Sequence, residues 1–409
     1  MTELLDAEFV IIGGGAVGCA VAYSLVEAGQ TDVLVLEREE SLASATTAQA
    51  AGLVGQVRSS VERTRLAMWS VKTFAALEAD ADVRPSWRQV GSLRIALNDG
   101  RVEEFHRLIS IAQSAGLEVE LIDRAAAQRL WPILQFECAK AILWCPTDGY
   151  LQPYDLTMAY QHHARARGAR FATRTAVTNI ACKNGHVESV ETTRGRVACR
   201  VVINAAGAHA YHIARLVGLD LPIVPVRHEY LISVPMARIV PTLPAFRVPD
   251  ATLYGRPEVN SLLLGGWEPQ AMSSLPQAFS LAEHAPPIRE DWEVLARFAE
   301  QFAPLYPPVQ EAGVRCVFRG WPTFVPDGRF IVGESCRVNS FVMAGGCNAH
   351  GVSGSAGIGR HVVESILDPH PSDYVKSLSP DRFTETAWDW PTARRQAQRV
   401  YETYYALDH

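Results

Sequence analysis

Lysine is nearly absent from this 409-residue chain: Lys72, Lys140, Lys183 and Lys376 are the only four, and arginine carries almost all of the positive charge. The formal net charge is −6, so there is no cationic excess to hold nucleic acid or an anionic membrane surface. The eight cysteines lie apart, with no C-x-x-C pair, which argues against a zinc ribbon or an iron–sulfur cluster and for reduced thiols. No apolar run approaches the roughly 18 residues that a membrane span requires. Met1–Glu8 contains three acids and no base, unlike a secretory or transit leader. These absences lead us to expect a cytoplasmic enzyme, without a membrane span or nucleic-acid partner. Its length is about two to three domains' worth.

The most informative stretch is Phe9-Val10-Ile11-Ile12-Gly13-Gly14-Gly15-Ala16-Val17-Gly18, followed by Leu34-Val35-Leu36-Glu37. An apolar β-branched run, a Gly-x-Gly-x-x-Gly turn, a helical stretch and a second apolar run ending in an acid spell strand, turn, helix, strand. Gly13 permits the turn, Gly15 admits a pyrophosphate to backbone amides, and Gly18 lets the helix pack on the sheet. Glu37, 22 residues beyond Gly15, sits where a carboxylate accepts from ribose hydroxyls. The pattern predicts dinucleotide binding and leaves FAD and NAD open.

The helix is expected over residues 16–29, with Val17, Val21, Leu25 and Ala28 on one face, closing at Gly29. Small residues from Ala48 to Ser60 suit a backbone running under a flat ligand, or a plain connector. A helix is expected over 61–82, and Gly91–Leu97 alternates like a strand before helical patterns at 102–116 and 124–130. Another helix reads from 154 to 168, with strands near 171–180, 187–192 and 197–204; the first carries Val177 toward an adenine. Arg200–Asn204 runs into Ala205-Ala206-Gly207, a second place for backbone to meet a pyrophosphate. His209 and His212 lack a third ligand and read as packing histidines. Alternating segments within 223–319 join 88–97 in a mainly antiparallel sheet. Phe341–Gly345 leads through Asn348-Ala349-His350-Gly351-Val352 to a helix expected from Ser353, whose amides would favour anionic charge. The expected fold class is α/β (α+β): a Rossmann-like nucleotide domain from 1–86, 147–222 and 320–375, a substrate domain from 87–146 and 223–319, and a helical tail at 376–409.

Thr46-Thr47-Ala48-Gln49-Ala50-Ala51-Gly52-Leu53-Val54-Gly55, Asp148-Gly149-Tyr150, Asn204–Gly207, Val226–Leu231, Phe324–Gly328 and Asn348–Gly351 occur in order along nearly the whole chain. Together they resemble the FAD-dependent amine oxidoreductases of the D-amino-acid-oxidase/sarcosine-oxidase superfamily, and within it the flavin half of the dimethylglycine and sarcosine dehydrogenases. The resemblance implies FAD, contacted also by Arg38, Ser44, Thr46, Thr47, Gln49, Ala51, Gly52, Leu53, Val54, Asn348, His350, Gly351, Val352 and Ser353. It implies oxidation of a secondary or tertiary amine, such as an N-methylated amino acid, by hydride transfer to flavin N5. His228 and Tyr254 would serve the substrate nitrogen. Arg256 and Arg319, ranked above Arg58, would bind a carboxylate, with Trp321 adding bulk to the pocket.

Three departures from the family pattern sharpen these expectations. Gln49 stands where relatives attach flavin through a histidine, so the FAD should be noncovalent. Arg394–His409 resembles the end of the flavin half in relatives that continue into a folate-binding domain, so formaldehyde would not pass to folate within these residues. Leu263 falls where some relatives place a lysine that assists oxygen reduction, and this favours an electron-transfer protein as acceptor. The alternatives are the FAD-bearing subunit of a hydroxyproline, opine or amino-acid dehydrogenase, a peroxide-forming oxidase, and a non-catalytic flavoprotein.

Overall fold

The computed structural model describes residues 6–79 and 82–407. Met1–Glu8, read as unlike a leader, therefore falls largely outside the described residues, as do positions 80 and 81 of the expected 61–82 helix and the last two residues of the tail. Two eight-stranded sheets dominate. In the first, Ala7–Ile12 lies between parallel neighbours Gly195–Asn204 and Val33–Leu36, with Arg170–Ala172 beyond one and Val338–Gly345 beyond the other. Val10, Ile11, Val33 and Val35 are buried on both faces, as the unbroken apolar runs require. Ile331–Ser335 closes one edge antiparallel to Val338–Gly345. Val177–Lys183 and His186–Thr192 form an antiparallel meander on Gly195–Asn204.

Helix Ala16–Glu27 packs against Pro153–Ala166 and Ser355–Leu367. It buries more than a stripe, from Ala16 to Val26, because sheet and helices enclose it. Ala28, expected on the buried face, is exposed: the helix ends at Glu27, and Gly29 turns the chain at φ +84°. The helix expected from Ser353 starts at Ser355, after the turn through Gly354.

The second sheet runs Val314–Gly320, His228–Ser233, Ser261–Gly266, Leu253–Glu258, Ala245–Val248, Ser92–Ala96, Ala141–Cys145, Glu120–Ile122. All its pairings are antiparallel except Ala245–Val248 with Ser92–Ala96. Leu93 and Ile95 face a core with Trp131 and Phe246, while Ala96 packs with Phe105 and Leu108 of helix Asp99–Ala115. The strands of the two sheets come from alternating stretches of chain, so the segments that cross between them lie along one seam.

Candidate active site

That seam holds a cavity of about 970 Å³, at the upper end for a small-molecule site. It is lined at one end by Glu37 and Val177, in the middle by Gly13, Gly15, Ala16, Val17 and Ala205–Gly207, and at the other end by His228, Tyr254 and Trp267 of the second sheet. Both halves of the nucleotide fingerprint and the candidate catalytic pair therefore share one continuous space.

The fingerprint turn is built by exclusion of side chains. A Cβ on Gly18 would lie 1.9 Å from the Gly13 carbonyl oxygen, and one on Gly13 would lie 2.5 Å from that of Ala205. No side chain caps helix Ala16–Glu27 and no acid occupies its first turn, so its positive end faces the cavity beside Ala16 and Val17. The Ala16 amide donates to Thr47 Oγ1 at 3.1 Å. Glu37 is aimed by two backbone amides: Gly14 N–H donates to Oε2 at 2.7 Å and Glu39 N–H to Oε1 at 2.9 Å. An anchored carboxylate at one end, an uncapped helix in the middle and a wide second compartment fit a long dinucleotide with a flat ring at its far end.

Ser44, Thr46, Thr47, Gln49, Ala51, Gly52, Leu53, His350, Gly351, Val352 and Ser353 all line the cavity. Arg38 also lines it, but its guanidinium donates to the Leu281 and Glu283 carbonyls and to His284 Nδ1, fastening the 281–284 segment at the mouth. Gly18, Val54 and Asn348 do not line it. Gly18 is consumed in helix packing, as its missing Cβ requires. Val54 is fully buried in the short strand Leu53–Val54, paired with Gly149–Tyr150. Asn348 is spent on the chain, accepting from Val325 N–H and donating to the Gly346 carbonyl, both at 3.0 Å.

Of the arginines, Arg256 is not brought to the cavity. It is 2% exposed, donates to the carbonyls of Ala51 and Pro257, pairs with Glu258 at 2.6 Å and stacks over Tyr150. It holds the Ala51 backbone in place. Arg319 does line the cavity, but pairs with Glu290 at 2.8 Å and donates to the Ile288 carbonyl. Trp321 lines it too, its indole N–H fixed to the Pro286 carbonyl at 2.7 Å.

Arg58 is different. It lines the cavity, its one hydrogen bond is to the adjacent Val57 carbonyl, and it forms no ion pair among the described residues. Burial, aided by Arg247, Arg94 and Arg63 and opposed by Tyr404, lowers its pKa to about 10. Arg247, which the sequence reading missed, lines the same cavity, is 8% exposed, faces Tyr405 and the Asp148 carboxylate, and leaves Nη1 buried without a partner. The available signal was a lone charge inside the otherwise apolar Ala245–Val248, all of it buried.

His228 and Tyr254 lie two strands apart, one on each side of Ser261–Gly266. Gly265 brings them together, since a Cβ there would lie 2.5 Å from Tyr254 Oη. Tyr254 Oη reaches His228 Nε2 at 2.6 Å, and His228 Nδ1 meets Tyr401 Oη at 3.0 Å. Trp267 stacks beside them, 4.8 Å from the His228 ring and 3.9 Å from that of Tyr404. Burial lowers the His228 pKa to about 4 and pushes Tyr254 well above its usual 10, so both are neutral at physiological pH. His350 donates from Nδ1 to the Asn348 carbonyl and accepts from Tyr404 Oη at 2.9 Å; burial holds it neutral as well. Leu263 is sealed with Tyr230, Ile232 and Tyr254 in an apolar cluster and brings no charge to the cavity. His212 Nε2–H donates to the Pro276 and Phe279 carbonyls, His209 Nε2 lies 2.9 Å from the Glu283 carbonyl and 3.1 Å from Arg38 Nη1, and no group of three metal-ligating side chains occurs among the described residues.

A parallel nucleotide sheet, an antiparallel sheet roofing its cavity and an anchored ribose acid define a dinucleotide-dependent oxidoreductase. The chain belongs to the DAO family of FAD-dependent oxidoreductases, whose family model matches residues 8–365. It is 30% identical to the mitochondrial dimethylglycine dehydrogenase of Rattus norvegicus over 407 residues, 97% of this chain and 47% of that protein. It is 29% identical over 379 residues to 4-methylaminobutanoate oxidase (formaldehyde-forming) of Paenarthrobacter nicotinovorans, 92% of this chain and 45% of that one. The chain thus spans about half the length of the curated relatives it matches. Among solved structures, L-proline dehydrogenase from P. horikoshii shares the fold, with a TM-score of 0.84 at 24% identity over 94% of this chain and 99% of that one. The long cavity is accordingly an FAD site. No helix among the described residues is long and apolar enough to cross a membrane.

Proposed function

We propose that this chain oxidises a secondary or tertiary amine that carries a carboxylate, an N-methylated amino acid of the sarcosine or dimethylglycine kind. The carrying observation is the pair of cavity arginines, buried Arg247 and half-buried Arg58, both without an ion-pair partner among the described residues. Two guanidiniums that form no ion pair among the described residues suit a carboxylate, which they bind through charge-assisted hydrogen bonds. The neutral Tyr254–His228 pair in the same cavity takes the proton from the bound ammonium, leaving the nitrogen lone pair free. Bound FAD supplies the hydride acceptor. The resulting iminium hydrolyses to an aldehyde and the dealkylated amine.

Gln49, an amide without a nucleophilic ring nitrogen, supports noncovalent FAD. Leu263, sealed in its apolar cluster, supports a protein electron acceptor. A second reading, direct reduction of oxygen, draws support from Arg58 and Arg247, because positive charge in the cavity stabilises superoxide. Product analysis tests the main reading: one formaldehyde should appear per N-methyl group removed, and amines lacking a carboxylate should turn over poorly. Equal turnover of decarboxylated analogues contradicts it. The rate at which oxygen reoxidises the reduced protein decides between the two acceptors.

A further inference from the structure

Behind the Tyr254–His228 pair runs a buried chain of hydrogen bonds. Tyr401 Oη–H donates to Glu268 Oε2. A phenol has one proton, so the contact between Tyr401 Oη and His228 Nδ1 at 3.0 Å must be donated by His228. That fixes the imidazole as the Nδ1–H tautomer and leaves Nε2 as a lone pair, so the 2.6 Å contact there is donated by Tyr254. With its proton turned to His228, Tyr254 Oη presents only lone pairs to the cavity, where an ammonium N–H needs an acceptor. Glu268 is itself held by Arg227 at 3.3 Å, which also faces Glu229 at 3.8 Å and Asp291 at 2.9 Å.

We infer that Glu268, acting through Tyr401, is the positioning residue that sets the His228 tautomer and supports the imidazolium formed when the substrate is deprotonated. The inference rests on the amine-oxidation reading. The proton transfer balances: the ammonium N–H bond breaks toward Tyr254 Oη, the Tyr254 O–H bond breaks toward His228 Nε2, and the phenol is regenerated. The ammonium becomes an amine, neutral imidazole becomes imidazolium, and no electrons change hands. The new positive charge is met through Nδ1–H and the Tyr401 phenol by the Glu268 carboxylate. It is the division of labour in which a buried acid orients a histidine and stabilises its cation without taking the proton. The other groups facing this chain are Arg247, Tyr230 and Tyr405 around Tyr254, and Arg227, Glu229 and Asp291 around Glu268.

The test uses the FAD-loaded protein with Glu268→Gln and, separately, Tyr401→Phe, which leaves the Glu268–Arg227 pair intact. Each should lower kcat/KM for an N-methyl amino acid by about 100-fold at pH 7 and by less than about threefold at pH 10, where the substrate arrives already deprotonated. The double variant should be no worse than either single one, because the two residues act in series. Nitrogen-15 NMR of the histidine rings, with His228 identified by its loss in His228→Gln, should show Nδ1–H in the parent and loss of that preference in Tyr401→Phe. A defect of equal size at both pH values, additive effects, or an Nε2–H tautomer in the parent overturns the inference. The NMR arm needs no substrate. If no amine is oxidised, the functional reading fails while the tautomer still decides the relay; if one variant loses its fold or flavin, the other decides.

Discussion

Replacing Arg247 by methionine should weaken the preference for a carboxylated substrate, leaving the part Arg58 supplies, without weakening the fold. In the free protein, the buried Arg247 Nη1 has no hydrogen-bond partner, a cost of about 1–3 kcal/mol that an apolar side chain of similar volume relieves. Loss of the interaction with Tyr405 and Asp148 offsets part of that gain. With substrate bound, Nη1 gains a charge-assisted bond to the carboxylate, worth about 2–3 kcal/mol, or about 30- to 150-fold in kcat/KM. The anaerobic rate of flavin reduction, measured against concentration for an N-methyl amino acid and its methyl ester, reads this directly. The parent should favour the acid by at least that factor. Arg247→Met should lower the ratio by that factor, leaving what Arg58 supplies, by raising the apparent dissociation constant rather than lowering the limiting rate, since the carboxylate is not the reacting group. The melting temperature should equal or exceed that of the parent. An unchanged acid-to-ester ratio, whatever the stability, refutes the reasoning and makes Arg247 a structural residue.

Further expectations follow from the same geometry. Gly18→Ala places a Cβ 1.9 Å from the Gly13 carbonyl, so the purified protein should carry little flavin, read as the ratio of flavin to protein absorbance. Acid precipitation of the native holoprotein should release all of its yellow colour into the supernatant, because Gln49 forms no bond to flavin; colour retained in the pellet contradicts this. His209 and His228 are both pushed down from 6.5 to about 4, by burial in each case and by Arg38 in addition at His209. Between those pH values the unfolded chain binds protons that the folded chain does not. Stability should therefore be lost as pH falls through this window, by up to about 3 kcal/mol per histidine, with no further change above it. Urea midpoints followed from pH 7 to 4 should fall less steeply for His209→Gln than for the parent.

What was legible in the sequence was local or periodic. The turn from Gly13 to Gly18 reads plainly because its glycine spacing is itself local, Gly18 being required by the Gly13 carbonyl, and the apolar runs at 9–12 and 33–36 declare a sheet buried on both faces. The antiparallel sheet is likewise carried by alternation and turns. The sequence ranked Arg256 and Arg319 above Arg58, but the partners that set where each arginine sits are not shown by spacing. Arg256 is taken by the Ala51 carbonyl, 205 residues away, although its other partner, Glu258, lies two residues along the same strand face and was there to be read. Asn348 looked like a ligand contact and is instead a brace for Val325 and Gly346. Glu268 and Tyr401 are 133 residues apart and meet only because the final helix, Trp390–Glu402, folds back beside Val224–Pro225 and Thr323–Phe324.

If this FAD site oxidises carboxylated secondary or tertiary amines, the bound oxidised flavin must be reduced when such an amine is supplied without oxygen. Anaerobic addition of a panel of N-methyl amino acids, with opines and hydroxyproline alongside, to the oxidised holoprotein tests it most directly. Loss of the flavin's visible absorbance with at least one N-methyl amino acid, and not with its decarboxylated counterpart, is the predicted result. An absorbance that stays unchanged with every secondary and tertiary amine contradicts the claim.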